Sequence, residues 1–145
     1  MKTFPGIRFK QPGPRSPEFA NQSTTNTAIY LNGKNTRLQL PDTFGPKSPF
    51  KFRNGDAITI EAWIKPDKLP ASVAAYIIGK GRTSDPKFAK DNQNWSLRIA
   101  SSGTTSKLSF LFATKAKTWH RWNSTLTFGP KSVWHHVALT YQFGR

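Results

Sequence analysis

No segment of this chain repeats apolar residues at helical spacing, and eleven prolines and ten glycines leave little room for a long helix. Between those breakers lie short runs rich in β-branched and aromatic residues. Runs of that kind, roughly evenly spaced and bounded by turn residues, specify the short strands of an antiparallel all-β sandwich. The cleanest is Ala57-Ile58-Thr59-Ile60-Glu61-Ala62-Trp63-Ile64. Its alternation sets Ile58, Ile60, Ala62 and Ile64 on one face and Thr59, Glu61 and Trp63 on the other. Residues 133–141 form a second strong candidate, with tryptophan, tyrosine and β-branched residues and no Gly, Pro, Asp or Glu.

Further strands are predicted at residues 28–31, 36–40, 50–52, 75–80, 95–99, 107–112 and 119–122. Asn32-Gly33 predicts a hairpin joining the first two, since both turn positions need positive φ. Trp95, Leu97 and Ile99 should point together. Residues 1–26 mix Pro, Gly, Ser, Asn, Gln and Thr and read as a linker or tail, with Phe4, Ile7 and Phe9 able to add an edge strand. The sandwich is then expected over residues 27–145. Its last core strand is followed only by Gln142-Phe143-Gly144-Arg145, so the sandwich is expected to be incomplete at its C-terminus.

The absence of cysteine excludes a disulfide scaffold, a thiolate metal site and a cysteine nucleophile. No run approaches the roughly 20 apolar residues of a membrane span. Residues 1–8 contain no apolar stretch of signal-peptide length, so an export signal would have to lie outside this sequence. The formal charge is +15. Residues 1–53 carry 9 Lys/Arg against 2 acids and residues 54–145 carry 13 against 5, so the excess is spread through the chain without a like-charge block. A basic solvated surface and a polyanion-binding face both fit that distribution.

Four segments in order carry a resemblance: Ile58-Thr59-Ile60-Glu61-Ala62-Trp63-Ile64-Lys65-Pro66, Ile77-Ile78-Gly79-Lys80-Gly81, Trp95-Ser96-Leu97-Arg98, and Trp134-His135-His136-Val137-Ala138-Leu139-Thr140-Tyr141. Over about residues 27–143 the chain resembles the LamG-like jelly-roll family of the concanavalin A-like lectins and glucanases. More narrowly, Gly79-Lys80-Gly81-Arg82-Thr83, Asn92-Gln93-Asn94-Trp95 and Trp119-His120-Arg121-Trp122 look like the LamG-like module of large planctomycete proteins with cytochrome-c-like domains. The resemblance implies a jelly-roll sandwich acting as a non-catalytic extracellular or periplasmic recognition module. Its implied ligand is a polysaccharide or cell-surface component, and the basic balance points to an acidic glycan. In that family further strands follow the segment matching residues 134–141. Without them, strand edges and an apolar face would stay uncovered.

The candidate chemistry is sparse. His135 and His136 are adjacent, so on a strand they point to opposite faces and cannot share a metal. A glycosidase would need two carboxylates about 5–9.5 Å apart, yet Glu61 stands alone on its strand and is expected to pair across strands with Arg98. No catalytic residue, metal ligand or cofactor is therefore expected. Calcium is the one candidate ion, through Asp85, Asp91, Asn92 and Asn94, and Lys80, Arg82, Lys87 and Lys90 oppose it in the same loop. The candidate ligand-binding residues are Trp119, Arg121, Trp122 and Arg82: aromatic faces stack on sugar rings, and arginine forks onto carboxylate or sulfate. On a strand Trp119 and Arg121 share one face while Trp122 takes the other. Two rival roles stand beside glycan recognition. One is a spacer packing against sibling domains; the other is a nucleic-acid binder, which ranks last because no basic groove is visible.

Overall fold

A computed structural model describes residues 1–34, 36–70, 74–81, 94–102, 105–116, 118–128 and 132–144. Among these the fold is all-β and antiparallel, with a single 3-10 turn at Gly45–Lys47 and no α-helix. The chain divides into two compact units, Met1–Ser48 and Pro49–Arg145.

In the first unit β1 (Lys2–Thr3) pairs with β4 (Leu38–Gln39), and β2 (Arg8–Pro12) pairs with β3 (Thr27–Tyr30). Two of these strands lie within the stretch expected to be linker. Asn26 accounts for their closure. Its carbonyl accepts from the Gly13 amide at 3.0 Å and from Arg15 Nε at 2.8 Å, while its side-chain amide donates to the Pro14 carbonyl at 3.0 Å. The hairpin expected at Asn32-Gly33 does not form, because β3 pairs back onto β2 and β4 onto β1. Asn32 instead closes a local loop. Its side-chain oxygen accepts from the Lys34 amide at 2.9 Å, and its own amide donates to Thr36 Oγ1 at 2.7 Å. Such side-chain bonds offer the backbone an alternative to a ladder.

The second unit is a two-layer sandwich. One layer pairs β5 (Ala57–Ile64) with β10 (His135–Gln142), in unbroken register from Ala57 opposite Gln142 to Ile64 opposite His135. The other is a meander of β6 (Ala75–Lys80), β7 (Trp95–Ser102), β8 (Thr105–Ala113) and β9 (Trp119–Thr127), in that order. Alternation supplies the inner faces. Ile58 and Ile60 of β5 are buried against Trp95, Leu97 and Phe110 of the meander, with Phe143 closing one end. Thr59 and Glu61 face out, as the pattern at 57–64 requires.

Trp95 also ties a loop to this core. Its indole N–H donates to the Phe50 carbonyl at 2.9 Å. Residues 50–52, expected as a strand, form none. Phe52 packs there through its ring, stacked on Phe143 at 5.0 Å, and makes no ladder. Glu61 does not meet Arg98, because β5 pairs with β10 and Arg98 belongs to the other layer. Its carboxylate lies 3.9 Å from His136 on the adjacent strand, both side chains being well exposed.

Candidate functional site

The register of β8 with β9 decides what the Trp119–Trp122 run can do. Leu111 lies opposite Arg121 and Ala113 opposite Trp119; Phe110 lies opposite Trp122 and Phe112 opposite His120. Since paired residues share a face, Trp119 and Arg121 project from the outer face and His120 and Trp122 from the inner one. The four residues therefore divide into two pairs with different neighbours.

On the inner face Trp122 is one wall of an aromatic cluster. Its ring lies 4.8 Å from Tyr141, 5.4 Å from Phe112 and 6.3 Å from Phe110. His120 stacks on Phe112 at 4.9 Å. Trp122 nevertheless remains 43% exposed, because this cluster is the end of the core that reaches β9, the last strand of its sheet.

On the outer face Trp119 is also 43% exposed and Arg121 is exposed. Two residues apart on a strand, they stand roughly 7 Å from each other. Neither side chain has a hydrogen-bonding, ionic or ring partner among the described residues. An unpartnered indole beside an unpartnered guanidinium provides a stacking surface and a bidentate donor side by side. Arg82, the fourth candidate, lies outside the described residues.

Asp91 is the last acid in the sequence; residues 92–145 hold Arg98, Lys107, Lys115, Lys117, Arg121, Lys131 and Arg145 with no Asp or Glu. Strands β7, β8, β9 and β10 thus carry no carboxylate at all. Counting onward from the last acid would have found this in the sequence alone. Lys80, at the end of β6, stands 5.7 Å from the Phe50 ring, and burial lowers its pKa from the ordinary lysine value.

Glu61 is the one carboxylate on a described strand. Among the described residues no group of three His, Asp or Glu side chains is placed to hold a metal ion. Of the expected calcium loop, Asp85, Asp91 and Asn92 lie outside the described residues. Asn94 serves as backbone, its amide donating to the Lys80 carbonyl at 2.9 Å and its carbonyl accepting from the Ala113 amide at 2.8 Å. His135 sits edge-on to Phe128 at 5.2 Å, while His136 lies beside Trp63 at 5.1 Å. No described helix is long and apolar enough to cross a membrane.

Searches of curated proteins and of solved structures return no match. A family model does match, over residues 32–145, and it describes the concanavalin A-like lectin/glucanases superfamily through a laminin-G-type domain. Laminin-G-like domains are generally non-catalytic, and many serve in carbohydrate binding or adhesion. The matched span includes every strand of the two-layer unit, and with its antiparallel jelly-roll architecture the chain belongs to the concanavalin A-like lectin/glucanase superfamily.

Proposed function

We propose that the chain is a non-catalytic extracellular recognition module that binds an acidic polysaccharide on the outer face of β9. The observation that carries this reading is the pair Trp119 and Arg121, exposed and without a partner among the described residues, within residues 92–145, which contain no Asp or Glu. A sugar ring stacks on the indole, and a uronate or sulfate group accepts the guanidinium fork. Strands β7 to β10 contribute no carboxylate of their own to repel the anion. Trp122 takes a different part, holding the inner aromatic cluster together. The narrower likeness to planctomycete modules rests on short motifs and supports a place within a larger exported protein.

The test is retention of the purified chain on polygalacturonate and on a neutral glucan. Arg121→Ala should weaken binding to polygalacturonate about tenfold or more, the usual worth of a charged hydrogen bond. Its melting temperature should not move, because the side chain is exposed. Arg121→Lys should restore only part of the affinity, since an ammonium cannot fork. Trp119→Ala should weaken binding too, whereas Trp122→Ala should chiefly lower stability. Equal retention on the neutral glucan, or no response to either outer-face variant, would remove the reading. Tighter binding to DNA than to either glycan, lost steeply with salt, would replace it with a general polyanion binder.

A further inference from the structure

Strand β9 ends the meander, and among the described residues β8 is its only ladder partner. Which of its amides face away from β8 follows from one bond. The Ala113 amide donates back to Asn94, on the β7 side, at 2.8 Å. Ala113 opposite Trp119 is therefore a wide pair, in which both residues turn their backbone groups away from each other. By alternation the amides of Trp119, Arg121 and Asn123 point outward, and those of His120 and Trp122 point into the β8 ladder.

From Trp119 to Asn123 this edge is only lightly protected: it keeps regular register with β8 and carries one charge, Arg121, and its irregularity lies beyond Asn123. Natural sheets blunt their edges with short strands, lysine, proline or bulges that twist the edge away. The opposite edge of the same sheet does so: β6 has six residues, a one-residue irregularity between Tyr76 and Ile78, and Lys80. β9 runs nine residues, Trp-His-Arg-Trp-Asn-Ser-Thr-Leu-Thr, without lysine, proline or glycine. It also exposes apolar surface, with Trp122 43% and Leu126 81% accessible.

We propose that this edge accepts an extended polypeptide segment as an additional antiparallel strand, one in which apolar and acidic residues alternate. Strand addition draws affinity from main-chain bonds and specificity from alternate side chains. Apolar side chains of the guest meet Trp122 on the inner face, and acidic ones meet Arg121 on the outer face. Charge complementarity selects an acidic guest over a second copy, because β7–β10 carry no carboxylate and the chain's formal charge is +15. This inference uses the backbone edge and is independent of whether a sugar stacks on Trp119.

The test adds an eight-residue peptide of alternating valine and glutamate to the full chain and follows amide hydrogen exchange by NMR. Exchange should slow at Trp119, Arg121 and Asn123, while His120 and Trp122, already bonded to β8, should change little. A valine–lysine peptide should give no protection. Asn123→Pro removes one outward N–H without touching the β8 ladder, a placement sheets tolerate at an edge, and should weaken the peptide about tenfold. The exchange pattern is read on the unaltered chain, so the test does not depend on that variant folding. Uniform protection along β9, equal binding of the lysine peptide, or protection that grows with protein concentration without peptide would each overturn the proposal. The last would assign the edge to a second copy. Loss of polygalacturonate binding alone would leave the exchange pattern untouched, so failures of the two readings are told apart.

Discussion

Leu97→Ala is expected to cost about 2–5 kcal/mol of folding stability, the range for a buried leucine whose cavity cannot fully collapse. Leu97, the third residue of β7, is fully buried, opposite Phe110 on β8 and Ile78 on β6. Its side chain lies on the face that meets Ile58 and Ile60 of the other layer. Strands on both sides hold the backbone in place, so little can move in to refill the space. Urea unfolding followed by tryptophan fluorescence would measure the loss, and a midpoint within experimental error of wild type would contradict the two-layer packing. Leu126→Ala provides the contrast. That residue is 81% exposed, and its truncation should stay within about 0.5 kcal/mol.

Gly79→Ala is expected to destabilise by about 1–3 kcal/mol, through crowding. Gly79 pairs with Ser96 across β6 and β7, and a Cβ placed there would lie 2.9 Å from both the Trp95 carbonyl oxygen and the Ser96 Cβ. Backbone cannot swing aside as a flexible side chain can, so the two strands must separate locally. The disturbance reaches the core because Trp95, the next residue of β7, carries the indole bonded to Phe50. Thermal unfolding gives the magnitude, and near-ultraviolet circular dichroism of the Trp95 environment shows where the strain goes. An alanine variant that melts like wild type would mean that Gly79 and Ser96 are not neighbours.

Strand β5 was legible because it buries one face, and a one-residue slip would turn that face to solvent. Strand β7 was legible although Trp95 to Ile99 are buried on both faces, because its large apolar residues still alternate with Ser96 and Arg98. Ile58 and Ile60, or Trp95, Leu97 and Ile99, could therefore be assigned from alternation alone. The first unit was less legible. Its strands are short and largely exposed, and their pairing depends on Asn26 and Asn32 bonding to backbone, which leaves no hydrophobic period to read. Phe50 and Phe52 misled for a related reason, since aromatic residues in a loop can bury rings without pairing as a strand. At the candidate site, alternation separated Trp119 and Arg121 from Trp122 once a strand was assumed. What it could not provide was the neighbour strand. The register with β8 sets Trp122 beside Phe110, the packing of the two layers brings Tyr141 onto it, and the register together with the Ala113–Asn94 bond assigns the outward amides to Trp119, Arg121 and Asn123.

The irregularity between β8 and β9 carries a consequence for how this strand can vary. From Ser109 opposite Asn123 to Lys107 opposite Thr127, β8 advances two residues while β9 advances four. The Ser124 hydroxyl fills the gap, accepting from the Leu108 amide at 3.1 Å and donating to the Leu126 carbonyl at 2.5 Å. A surplus of two is phase-neutral: it preserves odd and even positions on their own sides of the sheet at both ends of the strand. Length changes between residues 123 and 127 should therefore be accepted in pairs, whereas loss of a single residue would invert one half of β9 relative to the other.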